Sequence, residues 1–184
     1  GVQTCALPIC HQDFMRVNAG GTEALAAAAA AQSKPPRFIH VSSLAARAPQ
    51  LSSYAASKKA GEDALELFRR SLSMAVLRPP VVYGPGDLET LRIFRMAKRG
   101  FLLVPALPQA RASLVHVDDV VGAIRAALAA ETLPRQPVEF DDGAVNGYGW
   151  EEIAVAAGVA VQQNVRVFRV PVAIVHTLGA FGSL

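Results

Sequence analysis

Tyr54 and Lys58 stand four residues apart. At that spacing two side chains leave one face of a helix a turn apart. A serine pair, Ser42-Ser43, ends the apolar run Phe38-Ile39-His40-Val41 just upstream. A phenol, an ammonium and a hydroxyl that can meet form a proton-transfer set. An unperturbed phenol titrates near ~10, too high to exchange protons readily at neutral pH. A lysine cation within a few Å lowers that by roughly 1–3 pH units, and the serine hydroxyl can hold a substrate oxygen beside the phenol. Tyr-x-x-x-Lys alone is a weak signal, because a half-buried Tyr and a solvated Lys also satisfy it. The elements around it give it weight.

Those elements read as follows. Met15 to about Ser33 is helical, with Asn18 or Thr22 as its cap, an alanine run that favours helix, and Lys34-Pro35-Pro36 as its stop. Arg37 to Ser42 is a short buried strand, and Leu44 to Ser53 a loop. Ser52 or Ser53 caps a helix running to about Leu72, so Tyr54 and Lys58 fall in its opening turns. Met74 to Leu77 is a strand ended by Arg78-Pro79-Pro80, followed by the turn cluster Tyr83-Gly84-Pro85-Gly86-Asp87. Leu88 to Arg99 is a helix, Phe101 to Pro108 a proline-broken strand and loop, and Ser113 to Val117 a strand. Asp118 or Asp119 caps a helix to about Glu131. Val138 to Phe140 is a strand, Trp150 to Ala157 a helix and Val165 to Val170 a strand, with Pro171 opening a last apolar helix. Helices alternating with short apolar strands imply a parallel α/β sheet.

Composition narrows the function class. The 184 residues are 52% hydrophobic and 18% charged, which excludes a disordered chain and supplies one domain's core. A net charge of +3, scattered along the chain, gives no footprint for nucleic acid. No apolar run reaches the ~18 residues of a membrane span, and no basic start precedes an apolar core, so the expectation is a cytoplasmic protein with no membrane partner. Cys5 and Cys10 form neither a disulfide framework nor a metal motif. They lie in a stretch without period that resembles translated sequencing-adapter sequence, so residues 1–13 are set apart as non-native.

Five motifs in order carry a resemblance: Val17-Asn18-Ala19-Gly20-Gly21-Thr22, Val41-Ser42-Ser43, Tyr54 to Lys58, Leu77 to Gly86, and His116-Val117-Asp118-Asp119. Together they resemble the extended short-chain dehydrogenases/reductases, the NAD(P)-dependent epimerases, dehydratases and reductases, over roughly Phe14 to Phe181. The resemblance implies a Rossmann-like parallel sheet with helices on both faces. Residues 14–184 would form part of the NAD(P)-binding domain, with an interleaved substrate-binding part at roughly 84–112 and 134–184. It implies Tyr54 as acid/base, Lys58 as its activator and ribose ligand, and Ser43, rather than Ser42, as the residue that orients the substrate. Backbone at Pro79 and Pro80 would line the nicotinamide of NAD or NADP, with Val81 facing the substrate. The family also suggests a homodimer through the Tyr54 helix. No Gly-rich turn of the G-x-x-G-x-x-G kind, which brings backbone to the pyrophosphate, exists in the chain. The expectation is therefore a fragment lacking its first strands.

His116 reads as a strand-end structural residue, Tyr83 and Trp150 as core or pocket wall, and Arg111 as an exposed cation that could take an anion. Nucleotide-sugar members carry an Asn where Val81 stands and an Arg where Ala112 stands. The leading expectation is an NAD(P)-dependent oxidoreductase of an alcohol/carbonyl pair on a small, apolar molecule. The alternatives are a nucleotide-sugar epimerase or dehydratase with bound NAD, and a non-catalytic NAD(P)-binding protein.

Overall fold

The computed structural model describes residues 11–107 and 109–171. The apolar helix expected after Pro171 and both cysteines lie outside them. The chain divides into two compact units. One holds the described residues up to Val82 together with Val115–Asp141; the other holds Tyr83–Leu114 and the described residues from Asp142 onward.

The first unit is built on three parallel strands, β1 (Phe38–Val41), β2 (Met74–Arg78) and β6 (Val138–Glu139), in the order β1-β2-β6. Phe38 pairs with Met74 and Val41 with Leu77, and Leu77 pairs with Val138. Side chains alternate along a strand, so β2 serves two faces. Met74 and Val76 pack with Ala26, Leu65 and Leu72 on the face covered by α2 (Gly21–Ala30) and α3 (Ser53–Leu65). Ala75 and Leu77, equally buried, point to the opposite face. The helix α5 (Val117–Ala129) follows β5 (Leu114–His116) and is tied to the foot of β1 by Arg37, whose guanidinium donates to the carbonyls of Ala127 and Leu128. Helices on both faces of a parallel sheet make this a Rossmann-like α/β fold. β3 (Val81–Tyr83) pairs with β5.

In the second unit β4 (Phe101–Pro105) runs parallel to β7 (Arg166–Val170), Phe101 opposite Arg166. Leu102, Val104 and Ala154 form its core, with Ile93 and Met96 of α4 (Leu88–Ala97) and Trp150 and Ile153 of α6 (Trp150–Val161) against them.

Two helix starts differ from expectation. Neither Asn18 nor Thr22 is a cap: α1 (His11–Phe14) runs through a π-helical turn at Met15–Gly20 straight into α2. Their polar groups are used otherwise, as Thr22 Oγ1 donates to the Asn18 carbonyl at 2.6 Å and Asn18 Nδ2 to Ser57 Oγ at 2.9 Å. His11, Gln12 and Asp13, grouped by sequence with the irregular N-terminal stretch, open this helix. At α5 the cap is His116, whose Nδ1 accepts from the Asp118 N–H at 3.3 Å, because the helix begins at Val117, ahead of both aspartates. Ser52 caps α3 as expected, accepting from the Ala55 N–H at 3.0 Å.

Candidate active site

α3 carries the site. Ser52 starts it, and small residues on its inner side (Ala55 2%, Ser57 0% exposed) let it lie close to its neighbours. Gly61 is the tightest approach: a Cβ there would stand 2.7 Å from the Asn18 carbonyl oxygen. The π-helical turn and α3 are thereby held together, with Ser57 Oγ taking the Asn18 amide and donating to the Tyr54 carbonyl at 2.8 Å.

Tyr54 is 40% exposed, its ring edge-on to Phe14 at 5.8 Å between centroids. Lys58, one turn on, reaches the C-terminal end of β1, where its Nζ donates to the Val41 carbonyl at 2.9 Å. The phenol is thus open to solvent while the ammonium is anchored. Burial pulls the Lys58 ammonium below the usual lysine range, and the Glu62 carboxylate acts in the opposite direction.

The serine pair separates by environment. Ser42 is 4% exposed and its hydroxyl donates a hydrogen bond to the Glu62 carboxylate. Ser43 caps the 3-10 turn Leu44–Arg47, accepting from the Ala45 N–H at 3.2 Å, which leaves its O–H as a donor. Pro79 is buried and its carbonyl accepts from the Leu44 N–H at 2.9 Å, so that backbone group already braces the serine turn. Pro80 is partly buried and Val81 is 47% exposed at the start of β3. Ser43, Tyr54, Lys58, Pro79, Pro80 and Val81 all belong to the first unit.

Sequence reasoning passed over the layer beneath. Glu62, 6% exposed, takes two bonds from Arg78, Nε to Oε1 at 2.8 Å and Nη2 to Oε2 at 2.5 Å. Arg78 also reaches Glu139 at 3.1 Å, and Glu139 takes Arg47. The Glu62 pairing, followed by Glu139, holds the Arg78 guanidinium above its usual range. Bidentate arginine–carboxylate pairs fix geometry as well as charge. The available signal was spacing: Tyr54, Lys58 and Glu62 recur every four residues.

Arg111 is committed elsewhere. In the second unit it donates to the Asn146 and Gly147 carbonyls at 2.8 Å each and pairs with Glu152 at 2.8 Å, fastening the loop before α6. Among the described residues no cluster of His, Cys, Asp or Glu is placed to hold a metal ion, and no helix is long and apolar enough to cross a membrane.

Known proteins agree with this architecture. The chain is 44% identical over 170 residues to the ceramide reductase of Caulobacter vibrioides, covering 92% of this chain and 51% of that protein. The chain thus spans about half the length of that curated relative. UDP-glucuronic acid 4-epimerase from Bacillus cereus, solved with UDP-glucuronic acid and NAD, superposes with a TM-score of 0.70 at 19% identity, over 86% of this chain and 57% of that one. UDP-glucose 4-epimerase from Thermus thermophilus, solved with NAD, gives 0.66 at 24% identity, over 86% and 58%. Residues 10–139 match the profile of the NAD dependent epimerase/dehydratase family. With the parallel sheet, the serine pair at the end of β1 and Tyr54 and Lys58 on α3, that match is decisive: the chain belongs to the NAD dependent epimerase/dehydratase family.

Proposed function

We propose that this chain carries the proton-transfer half of an NAD(P)-dependent oxidoreductase that interconverts an alcohol and a carbonyl on an apolar substrate. The observation that carries the reading is the pair on α3: an anchored Lys58 ammonium one turn from an exposed Tyr54 phenol, at the strand end where Ser43 keeps a free O–H. The residues suit the nicotinamide–ribose end of the cofactor. Lys58 spends one N–H on Val41 and has two more to give to ribose hydroxyls. The chain has no Gly-rich turn for the pyrophosphate. A nicotinamide bound here supplies or accepts the hydride.

In the reducing direction Ser43 donates a hydrogen bond to the carbonyl oxygen and holds it beside Tyr54. As the carbonyl carbon gains the hydride, its oxygen takes the Tyr54 proton and becomes a hydroxyl. Lys58 stabilises the phenolate left behind, and solvent at the exposed ring restores the proton. Oxidation runs the same steps backward, with Tyr54 as base. The 44% identity to a ceramide reductase supports a substrate with long apolar chains. The absence of the nucleotide-sugar Asn at Val81 and Arg at Ala112 supports the same choice.

The test is consumption of NADH or NADPH by the full-length protein on ceramide-type and simple apolar ketones. Tyr54→Phe is expected to lower turnover by about 10²–10⁴-fold, the usual contribution of a positioned acid/base. Undiminished turnover in that variant overturns the mechanism. Inversion of a sugar centre on a nucleotide sugar, with no net cofactor consumption, replaces this reading with the epimerase one.

A further inference from the structure

Resting on the reading above, we propose that Glu62 is a positioning residue of the active site: its buried carboxylate, clamped by Arg78 and Ser42, holds the end of β1 that anchors the Lys58 ammonium and carries Ser43.

The geometry begins with helix spacing. Tyr54, Lys58 and Glu62 lie at i, i+4 and i+8 of α3, so they form one row on one face. That row grips the end of β1 at consecutive residues. Lys58 donates to the Val41 carbonyl, and Glu62 accepts from the Ser42 hydroxyl. Ser43, which would orient the substrate, is the next residue. Glu62 therefore binds the residue that stands between the Lys58 anchor, Val41, and Ser43.

Charge placement points the same way. The groups around this cluster are His40 on β1, Arg78 on β2, Glu139 on β6, Tyr54 and Lys58 on α3 itself, and Lys59, Asp63, Glu66, Arg69 and Arg135, which line a cavity with Glu62 and Arg78. Arg78 divides its guanidinium between Glu62 and Glu139, and Arg47 takes the other side of Glu139. His40 is neutral at physiological pH, because burial and the Lys58 cation push its titration down to about 4. Glu62 is the carboxylate that opposes the desolvation of Lys58. Without it, the desolvation of Lys58 acts unopposed by that carboxylate.

The experiment follows the Lys58 Cε resonance by NMR in 13C-lysine-labelled full-length protein, assigned with Lys58→Arg. Glu62→Gln is expected to lower the Lys58 titration by about one pH unit or more, and Glu62→Asp to restore most of it. The basic limb of the pH–turnover profile moves to lower pH in parallel. Should Glu62→Gln fail to fold, Ser42→Ala, which removes the hydroxyl tying the carboxylate to the end of β1, takes its place, and a displaced Lys58 titration is again expected. A Lys58 titration unchanged in either folded variant overturns the proposal and leaves Glu62 a purely structural ion-pair member. The titration uses neither substrate nor nicotinamide, so its result stands whether or not the reductase reading does.

Discussion

His40 shows how one buried side chain makes this fold pH-dependent. It lies in β1, its Nε2 buried without a hydrogen-bond partner among the described residues. Burial first, and the Lys58 cation second, lower its titration from 6.5 to about 4, with Glu62 opposing. Between those values the unfolded chain binds the proton and the folded one does not. His40 therefore contributes fully above about pH 6.5, and stability is lost as pH falls toward 4, by roughly 3 kcal/mol at most. His40→Leu, which leaves no polar atom to desolvate, is expected to flatten the pH dependence of the urea midpoint across that window; a slope like that of the unsubstituted protein refutes the assignment. At this scale the sequence was partly legible. Tyr54 and Lys58 stand out by type and spacing, while the preference for Ser43 over Ser42 comes from the family resemblance alone. Glu62 does not, because beside Asp63 it reads as one of two acids on a solvated helix face. Only the packed helix shows that Glu62 is 6% exposed while the Asp63 side chain is 61% exposed.

At the scale of elements, the site depends on how closely α3 meets the π-helical turn. Gly61→Ala would drive a methyl group to 2.7 Å from the Asn18 carbonyl oxygen, which is backbone and yields poorly. The expected cost is about 1–3 kcal/mol, as for other overpacked cores, read from the denaturation midpoint. Because Asn18 holds Ser57 and Ser57 holds the Tyr54 carbonyl, turnover should fall as well. Unaltered stability in Gly61→Ala would mean that the two helices separate at no cost. Strands and helix bodies were readable from periodicity and proline stops, since those patterns record burial directly. Helix starts were readable at α3, α4 and α6, but not at the first helix or at α5. Asn18 and Thr22 look like caps, but the preceding residues continue the helix, and His116 takes the role that the aspartate types suggest for Asp118 or Asp119. A cap is decided by where the chain enters the helix, which residue type alone does not encode.

At the scale of the whole molecule, β1 has a strand on one side only among the described residues, β2, although its residues Phe38-Ile39-His40-Val41 are those of a strand covered on both sides. An uncovered apolar edge is a template for pairing with other chains. The 184 residues also contain Lys58 and Tyr54, proposed above for the nicotinamide–ribose end of a dinucleotide, but no Gly-rich turn to bring backbone N–H groups to its pyrophosphate. Both facts lead to one prediction. Expressed by itself, this chain should self-associate through β1 and bind NADH and NADPH only weakly, as measured by light scattering and by calorimetric titration. Adding salt should not disperse the aggregates, because backbone pairing rather than charge holds them. A monomeric chain with tight dinucleotide binding would show that α3 and β1 suffice for cofactor capture, and the pyrophosphate would then have to rest on groups other than a glycine turn. Weak binding restored in the full-length protein would assign that half of the affinity to residues outside this chain.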